Sequence, residues 1–195
     1  MKLGGAKLFV VGMLASLVLG WLVFPRLFYA SKPQPVEFNH VLHTSDKVGL
    51  GCQDCHGFAE NGAFVGIPKL EQCVTCHAEA TGTTDEEHRF VEEYVKQNRE
   101  VPWRVYARQP DNVYFSHFYH VKAETIECKR CHGEQGATTT LRPLLVNVIS
   151  GYSRDIEGNW ISGSLWKPPA GLKMSDCIDC HEEHGCRSAC IDCHK

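Results

Sequence analysis

Past residue 30 the sequence has little with which to build an ordinary core. Long amphipathic runs are scarce there, while glycine, proline and short polar stretches are common. About 165 residues leave room for one domain or two small ones, but their side chains alone make a thin interior. No sign of charge dominates either. The 20 Lys and Arg face 23 Asp and Glu, a formal −3, which gives no basic footprint for nucleic acid. Against these shortages stand 11 Cys and 11 His, more than disulfide stapling or ordinary packing requires. Something other than side chains is expected to fill the interior.

One long apolar run is present. Lys2 and Lys7 precede the uncharged stretch "LFVVGMLASLVLGWLVFP" from Leu8 to Pro25, and Arg26 follows. Extended by Leu27, Phe28 and Tyr29, it nearly reaches the roughly 20 residues of a membrane span. A cleaved signal peptide is the competing reading. Cutting after Ala30 would put bulky Phe28 at the −3 position, where a small residue is wanted. Residues 1–30 are therefore expected to be a retained transmembrane anchor, with the N-terminus cytoplasmic and the remainder on the periplasmic side of the inner membrane. Pro33 and Pro35 predict an exit into an extended linker.

The cysteines repeat a pattern. "CQDCH" at 52–56 returns as "CVTCH" at 73–77, "CKRCH" at 128–132 and "CIDCH" at both 177–181 and 190–194. C-x-x-C-H is the attachment sequence of c-type haem. Two thiols on one helical turn suit thioethers to the two vinyl groups of one porphyrin, and the next histidine suits the iron. Zinc ribbons use C-x-x-C pairs two by two and have no role for a histidine after each; a redox dithiol needs one motif, not five. The cofactor-binding candidates are thus Cys52 and Cys55, Cys73 and Cys76, Cys128 and Cys131, Cys177 and Cys180, and Cys190 and Cys193. The proximal ligands are His56, His77, His132, His181 and His194. Five porphyrins would supply the missing core, and their ten propionates would carry the formal charge from −3 to roughly −13.

Six histidines remain: His40, His43, His88, His117, His120 and His184. Four of them fall in two matching hexapeptides, "FNHVLH" at 38–43 and "FSHFYH" at 115–120, each just ahead of a haem motif. Histidines three apart lie on one side of a helical turn, where they reach two different irons, so all four are candidate distal ligands. The chain reads as a duplication. A first unit spans 36–100 with two haems, and a second spans 112–195 with three, interrupted by an insertion at 133–176. The first unit closes with a helix, opened by a capping box at Thr84 and Glu87 and carrying Phe90, Val91, Tyr94 and Val95 on one face.

Phe-x-His-x-x-His followed by closely spaced C-x-x-C-H motifs resembles the class III multihaem cytochromes c over most of residues 36–195. The fold expected is mainly irregular with short α-helices: two class III-like units behind one N-terminal transmembrane helix. The resemblance implies bis-histidine iron, with His40 and His117 serving the first haem of each unit and His43 and His120 a later one. The trihaem pattern usually has a histidine shortly before its second motif; here the sequence reads "GLKMSDC". The distal ligand of that haem is left open between His184, His88 and Met174. The anchor, the two units and "PWRVYARQPDNVYFSHFYH" at 102–120 also resemble the multihaem subunits of membrane quinone oxidoreductases related to iron–sulfur molybdoenzymes. That likeness implies iron–sulfur and quinone-binding membrane subunits as partners. Its two branches are menaquinone-reducing complexes of sulfate reducers and the quinol-oxidising alternative complex III.

Five bis-histidine haems need ten histidines, and eleven exist. With both faces of each iron taken, electron transfer is expected and no catalytic site within the chain. A multihaem reductase would need a vacant iron position, often marked by C-x-x-C-K, and none occurs. A self-contained quinol dehydrogenase is the other rival. An acidic, haem-loaded surface suits a basic soluble periplasmic cytochrome c as donor, so relay into menaquinone reduction is the expected role and quinol oxidation the alternative. Tyr152, Trp160 and Trp166 in the insertion, and Trp103 and Tyr106 in the connecting segment, suit either docking surface or covers for haem edges. Cys186 is left over, either a spare thiol or a single thioether to a sixth haem. Six bis-histidine haems would need twelve histidines, one more than the chain has.

Overall fold

The computed structural model describes residues 4–23, 27, 29–109, 111–149, 172 and 174–195. Helix α1 (Gly5–Val18) is exposed along its whole length. Its ladder then widens into a π-helical stretch at Leu19–Val23, the Leu19 N–H shared between the carbonyls of Ala15 and Ser16. Gly20, a poor helix former, lies in the widened turn. Among the described residues no helix is long and apolar enough to cross a membrane, so the α-helical part falls short of the run Leu8–Pro25. The chain is also extended sooner than expected. Strand β1 (Tyr29–Lys32) pairs antiparallel with β2 (Leu144–Asn147), Tyr29 opposite Asn147 and Lys32 opposite Leu144.

The linker after β1 is fastened. The Gln34 side-chain amide donates to the carbonyls of Arg104 (2.9 Å) and Arg142 (3.0 Å), and its oxygen accepts the Arg104 N–H (3.0 Å). Arg89 donates to the Pro35 carbonyl at 2.8 Å. Next come α2 (His40–Thr44), capped by Asn39 accepting the Leu42 N–H, then α3 (Cys52–Cys55) and α4 (Leu70–His77). Helix α5 (Asp85–Phe90) runs on as a π-helical turn, Val91–Val95. The expected apolar face forms the core here. Phe90, Val91 and Tyr94 are buried with Val36, Leu70 and Val101, and Val95 and Trp103 pack against them. The expected capping box is half made: Thr84 Oγ1 accepts the Glu87 N–H (3.3 Å), but the Glu87 carboxylate has other partners.

The second half holds a π-helical turn at Phe118–Ala123, α6 (Cys128–His132), a short 3₁₀ turn at Gln135–Ala137, α7 (Met174–Glu183) and α8 (Cys190–Cys193). None of its described residues is buried. It leans on the first half instead. Val41 N–H donates to the Thr138 carbonyl and Thr44 Oγ1 to the Gly136 carbonyl, at 3.1 and 3.0 Å. Gly62 (φ +81) lies so close to the Phe118 ring that a β-carbon there would sit 3.2 Å from it. Tyr106 faces inward: its hydroxyl is 3.4 Å from Gln135 Oε1, and the Arg142 guanidinium lies over its ring. With Trp103 on the core, both aromatics of the connecting segment cover the chain itself. Tyr152, Trp160 and Trp166 lie outside the described residues.

Candidate haem sites

Each cysteine pair sits on one helical turn, and all eleven thiols are free of disulfides. Two of the turns are closed by their own sequence. The Asp54 carboxylate accepts the Gly51 N–H (2.7 Å) ahead of Cys52, and Asp192 accepts the Ala189 N–H (3.1 Å) ahead of Cys190. These short helices are therefore capped from within, without needing length for stability.

The two hexapeptides have the same internal geometry. Phe38 stands edge-on to His40 (4.9 Å, 79°) and stacks on His43 (4.3 Å, 23°). Phe115 stands edge-on to His117 (4.8 Å, 86°) and stacks on His120 (4.8 Å, 29°). His43 and His120 each donate from Nδ1 to the carbonyl four residues back, Asn39 and Ser116, both at 2.8 Å. A carbonyl only accepts, so Nδ1 carries the proton and Nε2 keeps its lone pair. The leading phenylalanine thus holds its two imidazoles in fixed, different directions.

The same hydrogen bond recurs at other rings. His56 donates from Nδ1 to Gly66 O (2.7 Å), His181 to Arg187 O (3.0 Å) and His184 to Cys180 O (2.8 Å). Gly66 adopts φ +81, a conformation that only glycine takes without strain, as it presents that carbonyl. His40 bonds Thr138 Oγ1 at 3.1 Å, and that hydroxyl donates onward to Gln135 O. Among the described residues His77 alone meets a carboxylate, Glu87 Oε1, at 2.9 Å. Orientation of a ligating ring through its far nitrogen is what metal-bound histidine commonly shows.

Three histidine pairs stand opposite one another across the fold. His43 and His77 have ring centroids 6.1 Å apart, His117 and His132 6.2 Å, and His120 and His181 6.2 Å. Two metal–imidazole bonds of about 2 Å, with a ring radius on each side, fill such a separation. The last two pairs are close to parallel, at 10° and 17°. His56 acts electrostatically on both His40 and His132. Burial first, then the charges of His56 and His43, push the His40 imidazole below its ordinary value. Burial, then His132 and His120, do the same to His117. Both shifts favour the neutral ring that a metal binds.

The unassigned ligands sort unevenly. His120 is the ring opposite His181, at the motif for which His184, His88 and Met174 were the alternatives. Those three side chains are exposed. His194 lies in a bridge with Val113, and among the described residues no histidine ring stands opposite it. Cys186 is exposed, its N–H on the His181 carbonyl (2.7 Å).

The motifs also adjoin in a definite order. Burial raises the Cys73 thiol, and nearby Cys55 adds to the rise; Cys128 is raised by burial and then by nearby Cys52. Cys131 likewise feels Cys180, and Cys177 feels Cys131 and Cys193. Contacts give the same neighbours: Gln72 donates to the Asp54 carbonyl, Phe64 stacks on His117 opposite His132, Arg130 reaches Glu183, and the Cys186 N–H meets the His181 carbonyl. The file so runs 73–77, 52–56, 128–132, 177–181, 190–194. At the junction of the halves Phe64 stacks on His117 at 4.0 Å. Spacing along the chain gave no sign of Phe64, Thr138 or Gly66, and Glu87 read only as a cap.

A known family and a known protein are similar to this chain in sequence. A sequence model of the class III cytochrome c family matches residues 25–104. Over 207 aligned residues the chain is 37% identical to the "menaquinone reductase, multiheme cytochrome c subunit" of Nitratidesulfovibrio vulgaris strain Hildenborough, covering 98% of this chain and 91% of that protein.

Proposed function

We propose, for a chain that belongs to the class III-type multihaem cytochromes c, the family of that menaquinone reductase subunit, that it relays electrons from soluble periplasmic cytochromes into a menaquinone-reducing membrane complex. The observation that carries the relay is the set of facing histidine pairs at 6.1–6.2 Å. On this reading the ten motif cysteines hold haem c at five positions. His40 with His56, His43 with His77, His117 with His132 and His120 with His181 would hold four of the irons. Haem so held supplies one-electron oxidation and reduction without a position for substrate.

The protein's part is orientation. Each hexapeptide sends its two histidines to two adjacent motifs, which ties 52–56 to 73–77 and 128–132 to 177–181. The clasp of Thr138 on His40 and Phe64 on His117 joins the two files into one. Residues 36–100 and 112–195 are read as the two units so joined. Leu8, Phe9, Val10, Val11, Met13, Leu14, Leu17 and Val18 leave α1 apolar on every face and exposed. A helix of that kind needs a nonaqueous surrounding, which supports an anchor completed by the π-helical stretch, with the haem units in the periplasm. The acidic balance, deepened by propionates, favours a basic cytochrome as donor, and iron–sulfur and quinone-binding subunits of the complex as acceptor.

A potentiometric titration of the haem-loaded protein, followed optically and by electron paramagnetic resonance, tests the reading. Low-spin signals with mostly negative potentials are expected. A clearly positive set would defeat menaquinone reduction and favour quinol oxidation in an alternative complex III. Quinol oxidation by the purified chain without partner subunits would sink the relay altogether. Intact mass counts the covalent groups: the five motifs account for five, and a sixth would require Cys186.

A further inference from the structure

One motif histidine is held differently from two others. His56 and His181 give their Nδ1 protons to the backbone carbonyls of Gly66 and Arg187. His77 gives its proton to Glu87 Oε1 at 2.9 Å, with the Glu87 side chain only 14% exposed. That carboxylate is locked in place. Oε1 also accepts the Thr81 N–H (2.8 Å) and Thr81 hydroxyl (2.9 Å), and Oε2 accepts the Gly82 N–H (2.8 Å). It cannot swing to solvent without losing all of these.

A carbonyl draws on the imidazole proton with a partial charge, a carboxylate with a full one. The ring facing the carboxylate becomes the more basic ligand. A more electron-rich axial ligand stabilises oxidised over reduced iron, and a hydrogen bond to the ligand's far nitrogen is one of the levers on haem potential. We propose that Glu87 is a positioning residue that makes the haem at Cys73–His77 the most reducing of those held by facing histidine pairs. The proposal rests on the reading of His43 and His77 as axial partners. Because 73–77 stands at one end of the spatial file, this places the most reducing site at a terminus.

The test uses the full-length, haem-loaded protein and resolved potentiometric titration with electron paramagnetic resonance. Glu87→Gln keeps an acceptor oxygen and removes the charge. It is expected to raise the midpoint of one component, the lowest of the paired set, more than any other, with that haem still low-spin. Thr81→Val removes a competing hydroxyl from Oε1 while leaving the charge, and is expected to lower the same component. Opposite signs from two neighbouring substitutions are not what a purely structural role produces. Unmoved components in both variants, with low-spin ligation intact, would overturn the role of Glu87. If Glu87→Gln fails to assemble, the Thr81→Val titration decides alone: a downward shift supports the proposal and no shift overturns it. His43→Ala separates the underlying reading: it should turn one low-spin haem high-spin, and a wholly low-spin spectrum would overturn the pairing itself.

Discussion

The two halves of the molecule hold the same histidine hexapeptide by different means. The first half has a side-chain core, where Val36, Leu70, Phe90, Val91, Tyr94 and Val101 are buried together. The second half has no buried residue among those described. Even so, Phe38 with its histidines and Phe115 with its histidines adopt nearly the same angles and distances. The ligand geometry is therefore local, set by a phenylalanine and one turn of backbone, and it does not need a protein core behind it. What the core changes is whether the unit has stability of its own. In the second half that task falls to the clasp against the first and, on the proposed reading, to covalent haem.

Preventing haem attachment should break the comparison most severely. In apoprotein analysed by hydrogen exchange, amides of 112–149 and 174–195 are expected to exchange fully, while those of 70–101 keep measurable protection. Equal loss in both halves would show that the small core contributes nothing alone. Phe90→Ala acts on the other side. Deleting a buried aromatic costs about 3–5 kcal/mol, expected as a lowered melting temperature and faster exchange confined to the first half of the haem-loaded protein. Thr138→Val removes the hydroxyl that His40 uses across the junction. A loss of about 1 kcal/mol is expected, with loosened exchange at Val41 and Thr44, and an unchanged protein would mean the halves are joined by haem alone.

The smallest effect concerns acid. Burial would raise the Glu86 carboxyl, but the hydrogen bond and charge of Arg89, with the Glu37 N–H, hold it below its ordinary value of 4.5. A carboxyl lowered on folding contributes stability above its unfolded value, and that contribution is lost as pH falls through the folded one. Stability of the first half should therefore decline as pH drops below about 4.5, and Glu86→Gln should flatten that part of the curve measured by thermal melting.

Much of the site was legible before any fold. The five motifs stand on single turns because their spacing is shorter than a turn, and the hexapeptides orient their rings through contacts two to five residues apart. The apolar face at 90–95 was legible for the same reason. The N-terminal run misled in extent, because strand pairing with Leu144–Asn147 draws the chain into β1 at Tyr29. Gln34 carried no pattern at all; its partners Arg104 and Arg142 are reached only after the chain has folded back. Glu87 carried the wrong pattern. Its spacing from Thr84 fits a capping box, and only the approach of His77 turns its carboxylate elsewhere.

By itself the sequence determined the chemistry: how many cysteine pairs, which histidine follows each, and which four further histidines come in matched twos. These depend on neighbours along the chain, and a short turn has few ways to place them. Which histidine faces which motif, the order in which the motifs adjoin, and the carboxylate behind His77 were decided by the tertiary structure. Each is a contact between residues distant in sequence, and such contacts are selected by packing, which no local spacing encodes.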